Sequence, residues 1–387
     1  MRIEIVGKFY DNHSLSIINR RLAIGLNMSD NIDVYVTPLD SFDPAHKLSK
    51  SHTKIIKKLE AKEQSEPPEI QIRHCYPPVW TWPLHEMTKV IYIQPWEYGK
   101  APFEWQYKFE TFADALIVPS NYVASVFKQG GLDPDNIFVV PNGFDDTIFN
   151  KEEADDHPFI KKDRFNFVYV GNTQWRKGLD IMLNSWSKVF KKYDKTTLIV
   201  KDNPAIYGKN NAISEIIKMQ YKTGCAEILY IDDALSDEEM AQIFKLSKAV
   251  VHPYRAEGFG MHIQEAFACG CIPIVSADGP TEDFIPSDIG FRINVEQKPI
   301  DIMADSIFAA KSGDAMTMMS SHSFANEPSG QHLEKILQYV YHHHDKKVML
   351  DAVNDAKLEN TWDNVINHYI KAIENVYSRN KVNRFRN

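Results

Sequence analysis

Short apolar runs recur along the first half of the chain, separated by stretches with helical periodicity. The predicted strands are residues 2–6, 32–36, 69–73, 90–94, 115–118 and 137–140, and helices are predicted over residues 14–26 and 122–129. Buried strands that alternate with amphipathic helices are typical of parallel sheets. The first half is therefore predicted to be an α/β domain with a doubly wound parallel sheet.

The second half repeats this pattern after an acidic, linker-like stretch at residues 151–157. Its predicted strands are residues 165–170, 197–200, 227–231, 249–251, 272–275 and 290–293, and a last amphipathic helix begins near Thr361. A chain of 387 residues also exceeds what one core usually holds. We expect two domains, one of residues 1–148 with the helix end at about 371–387, the other of residues 149–370.

Residues 46–63 form a predicted basic amphipathic helix that carries Lys47, Lys50, Lys54, Lys57, Lys58 and Lys62. Such a helix could lie on an anionic membrane surface. A solvated helix is the favoured alternative, because no large aromatic residue marks its apolar face.

Composition narrows the class of protein. The net charge of −8 argues against nucleic acid as a main partner. The four cysteines lack CxxC spacing, as expected of reduced thiols. No signal peptide is recognised, and no apolar run approaches the roughly 18 residues of a membrane span. We expect a cytoplasmic protein, with peripheral contact at the inner membrane face through residues 46–63 as the open question.

The most informative stretch follows the predicted strand 249–251. The loop Glu257-Gly258-Phe259-Gly260 precedes a short helix that carries Glu265 and ends at Gly270, a suitable C-cap. A glycine loop before a helix N-terminus favours an anion, and two nearby carboxylates can accept hydrogen bonds from hydroxyl groups. The pattern favours a ligand with phosphates and sugars. Its alternative is an ordinary tight turn with solvated glutamates.

A second loop of this kind follows the predicted strand 165–170. It runs from Gly171 and Asn172 to Arg176, Lys177 and Gly178, where a helix opens. Arginine can fork onto phosphate oxygens and lysine adds a point charge. Both loops follow strands of one predicted sheet, so we expect them to share a ligand.

Polar and aromatic residues also follow the strands of the first half, where open α/β sheets bind ligands. The candidates for an acceptor site are Asn12, His13, Ser14, His74, Gln94, Trp96 and Glu97. Asn12 and Ser14 are also the expected N-caps of the first helix. For most of the aromatic residues, simple packing over the sheet is the expected alternative.

These motifs resemble the retaining glycosyltransferases of family 4, which have the GT-B fold. The resemblance rests on Glu-x7-Glu from Glu257 to Glu265 with the Ala-Cys-Gly after it, and on residues 118–120, 140–145 and 171–178. It implies two Rossmann-like domains that face each other across a cleft. It also implies transfer of a sugar from a nucleotide-diphosphate sugar to a hydroxyl of a glycan, lipid-linked or small-molecule acceptor, without a covalent enzyme intermediate.

The resemblance also implies roles for single residues. Glu265 would bind the ribose and Glu257 a hydroxyl of the transferred sugar. Lys177 would contact the diphosphate near the amides of residues 258–260. The family's arginine after the first loop glycine is Asn172 here, and we expect Arg176 to supply that charge.

These cations and amides can stabilise the leaving group, so neither a metal nor a cofactor is expected. The one Asp-x-Asp, at residues 133–135, is typical of a turn. Two alternatives remain: a catalytically weak GT-B subunit that supports a partner transferase, and a nucleotide-sugar isomerase.

Overall fold

The computed structural model describes residues 1–46, 48–204, 212–301, 322–344, 353 and 355–379. The chain divides into two compact units. The first is Met1–Gly143 with the described residues of Asp301–Ser323 and Asn360–Asn387, and the second is Phe144–Ile300 with those of Phe324–Glu359.

The first unit contains a six-stranded parallel sheet. Its strands are β1 (Arg2–Gly7), β2 (Asp33–Pro38), β3 (Ile70–His74), β4 (Lys89–Ile93), β5 (Ala115–Val118) and β6 (Ile137–Val139), in the order β2-β1-β3-β4-β5-β6. The helices between them are α1 (Ser14–Asn27), α2 (Lys50–Glu60), α3 (Phe103–Phe112) and α4 (Asn121–Gln129). The sequence patterns did not predict α3, which begins after Pro102 without a side-chain cap.

The second unit repeats this plan with a second parallel sheet. Its elements in chain order are β7 (Phe165–Val170), α5 (Leu179–Val189), β8 (Thr196–Lys201), α6 (Ala212–Thr223), β9 (Glu227–Ile231), α7 (Asp237–Lys245), β10 (Ala249–His252), α8 (Met261–Ala268), β11 (Ile272–Ser276) and β12 (Phe291–Ile293). The strand order is β12-β11-β10-β7-β8-β9. The prediction of two α/β regions with parallel sheets is confirmed.

A two-stranded sheet follows, formed by β13 (Val295–Asp301) and β14 (His322–Pro328). The sequence patterns did not predict these strands, because polar and charged residues interrupt any apolar alternation in both segments. The chain continues through α9 (Gly330–His343) to α10 (Trp362–Ser378).

Helix α10 belongs to the first unit, where it packs against α1. A Cβ atom on Gly25 of α1 would lie 2.5 Å from Cγ1 of Ile366, so only glycine allows this close approach. Gly143 likewise lies against the ring of Trp362. This packing accounts for a difference from the predicted domains, which placed residues 360–370 in the second one. Residues 144–148 change units in the opposite direction, because Phe144 packs in the second unit's core.

The basic helix α2 is shorter than the predicted span of 46–63. Ser49 caps it by accepting a hydrogen bond from the His52 amide at 3.5 Å. Its apolar face, which includes Ile56 and Leu59, is buried in the unit, while Lys50, Lys54, Lys57 and Lys58 are exposed. Lys47 lies outside the described residues. The exposed surface of the helix, which solvent or a membrane could contact, therefore carries lysines and not the apolar face.

The expected caps of helix α1 were wrong. His13 is the N-cap, and its Nδ1 accepts a hydrogen bond from the Leu15 amide at 3.3 Å. Asn12 instead donates from Nδ2 to the His46 carbonyl, and Ser14 is already the first helical residue. Across the described residues, no helix combines the length and apolar character that a membrane span requires.

Candidate active site

The two loops singled out by sequence meet at the carboxyl edge of the second sheet. Strands β7 and β10 are neighbours in that sheet, so the loops that follow them emerge side by side. The amides of Arg255 and Ala256 donate hydrogen bonds to the Arg176 carbonyl, at 2.7 and 3.3 Å. The structure thus brings the loop of residues 171–178 against Arg255 and Ala256, which directly precede the loop that begins at Glu257.

The shape of the first loop depends on glycine and on Asn172. The buried side chain of Asn172 accepts a hydrogen bond from the Gln174 amide at 2.9 Å, before a short turn over Trp175–Lys177. Gly178 has φ +73°, and a Cβ there would lie 1.9 Å from the Pro253 carbonyl oxygen. Only glycine suits both its backbone conformation and this contact.

The second loop is held by a buried ring and a left-handed glycine. Phe259 is buried and lies 5.1 Å from the ring of Phe284, so its side chain belongs to the core. Gly260 has φ +91° and starts α8, and Gly270, also at φ +91°, follows its last turn as predicted. Glu265 lies on the second turn of α8 and is partly exposed.

Lys177 and Glu257 form the central contact of the site. Lys177 Nζ donates to Glu257 Oε2 at 2.5 Å, and the two side chains are only 13% and 10% exposed. Glu257 Oε1 also accepts a hydrogen bond from the Gly258 amide at 3.1 Å. Burial raises the pKa of Glu257, but Lys177, His252 and Arg176 outweigh it and hold that pKa well below its usual range. The site therefore keeps a buried carboxylate beside a cation.

Arg176 lies next to this pair. Its guanidinium Nη1 is 3.5 Å from the Ala256 carbonyl oxygen, and its charge is one of the influences that lower the pKa of Glu257. The cation that we expected to compensate for Asn172 thus lies within the same cluster of charges.

Two histidines of this cluster were not singled out from the sequence. His252 ends β10 and is fully buried, with Nε2 3.7 Å from Glu257 Oε2. The ring of His262, on the first turn of α8, lies 4.4 Å from that of His252. Burial lowers the pKa of His252 to about 4, although the nearby carboxylate of Glu257 opposes it. A histidine at the carboxyl end of a strand, directly before Pro253, was the available sequence signal.

Arg255 is the third residue that sequence reasoning left without a role. Its guanidinium donates to the Trp175 carbonyl at 2.7 Å, to both carboxylate oxygens of Asp180 and to both of Glu327. Arg255 therefore connects the loop after β7, helix α5 and strand β14. Its partner Glu327 is 72 residues away, so no local motif could reveal this contact.

The acceptor candidates of the first unit are engaged in its own framework. His74 is buried and its Nδ1 lies 2.8 Å from Asn19 Oδ1, while burial lowers its pKa to about 3. Gln94 donates to the Pro95 carbonyl at 2.8 Å. The fully buried Trp96 donates its indole N–H to the Lys100 carbonyl at 2.9 Å, so the packing alternative holds for this ring. Glu97 is partly exposed.

Comparison with known families agrees with these motifs. Residues 150–315 match the family described as glycosyl transferases group 1, and residues 64–147 match glycosyltransferase family 4. Together these two matches to glycosyltransferase families cover residues 64–147 and 150–315 of the chain. Solved structures similar to nearly the whole chain are GT-B glycosyltransferases, so its fold is GT-B.

Two of these structures align with almost the whole chain. Anabaena HepE in complex with UDP and glucose has a TM-score of 0.61 and 14% identity, and the match covers 97% of this chain and 100% of that one. Sucrose-phosphate synthase from Thermosynechococcus elongatus has a TM-score of 0.66 and 13% identity, covering 98% and 99%. At such identities the likeness extends to the fold alone.

Curated relatives match only part of the chain. One subunit of the human phosphatidylinositol N-acetylglucosaminyltransferase is 23% identical over 186 residues, which cover 48% of this chain and 36% of the relative. D-inositol 3-phosphate glycosyltransferase of Frankia alni is 26% identical over 152 residues, covering 38% and 37%. The match thus spans little more than a third of the length of each relative.

Proposed function

We propose that this protein transfers a sugar from a nucleotide-diphosphate sugar to an acceptor hydroxyl, with retention of anomeric configuration. The observation that carries the proposal is the buried Lys177–Glu257 pair, which lies beside Arg176 where two strand–loop–helix segments meet. A cation, a carboxylate and a helix N-terminus together suit a ligand that has both phosphates and hydroxyl groups.

The proposed roles follow from the charges. The bond between the sugar's anomeric carbon and the diphosphate oxygen breaks, and negative charge grows on the diphosphate. Lys177 and Arg176 stabilise that charge, as do the amides of the loop before α8. Glu257 accepts a hydrogen bond from a sugar hydroxyl, and Glu265 accepts those of the ribose. The acceptor oxygen attacks from the side that the diphosphate leaves, and its proton passes to a diphosphate oxygen.

We further propose that the reaction needs neither a metal nor a cofactor. Two cations and a helix N-terminus at one site can together offset the charge of a leaving diphosphate. Full turnover in the presence of excess EDTA is the expected result. Loss of turnover that added Mg²⁺ or Mn²⁺ restores would contradict metal independence while leaving the transfer reaction intact.

The acceptor is proposed to be a glycan, a lipid-linked compound or a small molecule. The names of two relatives, one acting on phosphatidylinositol and the other on inositol 3-phosphate, make phosphorylated inositols the first acceptors to test. Contact of α2 with a membrane would be electrostatic, because the helix exposes its lysines and buries its apolar face. Co-sedimentation with phosphatidylserine vesicles at low and high salt tests that contact. Absence of binding at low salt would exclude it.

The decisive experiment is incubation with a panel of nucleotide-sugars without an acceptor. UDP-glucose is included first, because HepE binds it. Slow release of the free nucleotide is expected, since water can replace the acceptor. Interconversion of sugars would instead identify an isomerase. Binding without turnover would favour a supporting, catalytically weak protein, the alternative that Asn172 suggests. The configuration of any transferred sugar, measured by NMR, tests retention separately.

A further inference from the structure

Beyond the residues given roles above, we propose that His262 binds the donor, by donating a hydrogen bond from its imidazole to the diphosphate. This inference rests on the proposed function, because it assigns one more contact to the same nucleotide-sugar. The class of ligand is a nucleoside diphosphate, and the contact is made with an anionic phosphate oxygen.

The first observation is an unsatisfied polar atom. Nε2 of His262 is shielded from solvent and has no hydrogen-bond partner within the part of the chain that the structure describes. Buried polar groups in folded proteins are nearly always paired, and leaving one unpaired is unfavourable. A bound ligand with an acceptor oxygen would remove this cost.

The second observation is the position of His262 in the fold. It is on the first turn of α8, two residues after Gly260, where the helix dipole favours an anion. The ring of His252 meets that of His262 nearly edge to face, with an interplanar angle of 73°. Because His252 is completely buried, this contact restricts the orientation of the His262 ring before any ligand arrives.

The third observation concerns charge. Burial, then His252 and Lys177, hold the pKa of His262 well below its usual range, and Glu257 opposes them. A neutral imidazole keeps one N–H donor. Lys177 is already paired with Glu257, so a neutral donor adds a contact without another cation to repel it.

The choice of phosphate over sugar follows from the neighbours. The ring of His262 lies 4.4 Å from that of His252, whose Nε2 is 3.7 Å from Glu257 Oε2, so His262 is next to the charge cluster proposed for the diphosphate and the sugar. Glu257, an acceptor, is the better partner for sugar hydroxyls. An N–H donor beside two cations and a helix N-terminus is the better partner for a phosphate oxygen.

The test compares affinities for three ligands that differ in their phosphates. Calorimetry first identifies which of UDP, GDP and ADP the wild-type protein binds most tightly. Affinities for that diphosphate, its monophosphate and its nucleoside are then measured with His262→Ala and with His262→Gln, which keeps an N–H donor. The matched control is His342→Ala, an exposed histidine on α9 in the same unit.

His262→Ala is expected to weaken diphosphate binding about tenfold or more, the usual effect of one lost hydrogen bond to a charged group. Nucleoside binding should not change, His262→Gln should recover part of the loss, and the control should match the wild type. Unchanged diphosphate affinity in both His262 variants would overturn the inference, and so would an equal loss for the nucleoside. If the wild type binds no nucleoside diphosphate, the proposed function itself fails.

Discussion

The carboxyl edges of the two parallel sheets use their polar residues in different ways. In the second unit, the loops after neighbouring strands bring Lys177, Glu257 and Arg176 together, with the buried His252 beside them and His262 against its ring. In the first unit, side chains at the corresponding edge bond to their own framework. Asn19, for example, donates to the carbonyls of both Lys8 and His74, at 3.0 Å each, and so joins the ends of β1 and β3.

This difference indicates that the two edges serve different purposes. The charged edge has groups that can bind and stabilise a leaving diphosphate. The other edge is a frame of internal contacts, in which a ring such as Trp96 packs inside and a polar group such as Gln94 bonds to the backbone. Specificity for an acceptor there would arise from shape and from partly exposed side chains such as Glu97. Substitutions confined to one edge at a time test this difference.

The largest effect is expected from Lys177→Ala. Turnover of the donor, measured as nucleotide release, should fall about 10²- to 10³-fold, because the fixed cation that stabilises the leaving diphosphate is lost. The change also leaves Glu257 buried without its cation, which lowers stability. The double variant Lys177→Ala, Glu257→Gln should regain the unfolding temperature but not the turnover. Lys188→Ala, which removes the exposed partner of Glu334, is the control. Wild-type turnover in Lys177→Ala would mean that this edge is not the catalytic one.

The next effect separates the shape of the loop from backbone strain. Gly178 and Gly224 both have positive φ, at +73° and +62°. A Cβ at Gly178 meets the Pro253 carbonyl, whereas one at Gly224 meets no described residue within 4 Å. Gly224→Ala should cost only about 1–2 kcal/mol of left-handed strain and leave turnover unchanged. Gly178→Ala should cost more and also lower turnover, because the loop that carries Lys177 must move. Thermal unfolding measures the change in stability, and nucleotide release measures the change in turnover. Equal behaviour of the two variants would contradict the close fit of the loops.

The charged edge was the more predictable of the two. The strand pattern places loops 171–178 and 253–260 on one sheet, and the short spacing of each motif fixes which residues it contains. Both features are local in sequence. The meeting of Lys177 with Glu257 follows from the adjacency of β7 and β10, which the structure shows.

The parts that the sequence did not reveal depend on distant contacts or weak patterns. Glu327 reaches Arg255 from β14, a strand without apolar alternation. The role of His262 depends on an unpaired nitrogen atom, which no spacing discloses. In the first unit, His74 and Trp96 look like binding residues by type and position. Side-chain packing decides that they are buried, and the pattern of residue types along the chain does not reveal this packing.

Acidification should weaken both edges, because each contains a buried neutral histidine. Burial is the main cause that lowers the pKa of His74 to about 3 and of His252 to about 4. Below pH 6.5 the unfolded chain gains protons that the folded one does not, so stability falls as the pH drops from 6.5 towards 4. Between pH 7.5 and 5.0, each histidine should contribute a loss on the order of 2 kcal/mol.

Urea unfolding of the wild type and of His74→Gln at these two pH values measures how much of the acid-induced loss of stability comes from His74 in the first unit. The variant should lose less stability on acidification than the wild type. An identical pH dependence would mean that His74 accepts a proton in the folded protein as readily as in the unfolded one.

The smallest effect concerns the edge of the first unit's sheet, at the start of α1. His13→Ala removes the acceptor for the Leu15 amide and should cost about 1 kcal/mol, the usual worth of an N-cap. Ser14→Ala is the matched control, because this exposed residue is inside the helix, and its effect should stay within about 0.5 kcal/mol. Chemical unfolding of the two variants at pH 7.5 distinguishes them. A larger loss of unfolding free energy in Ser14→Ala than in His13→Ala would mean that Ser14 is the true cap. The imidazole of His13 would then be able to contact an acceptor instead of accepting the hydrogen bond from Leu15.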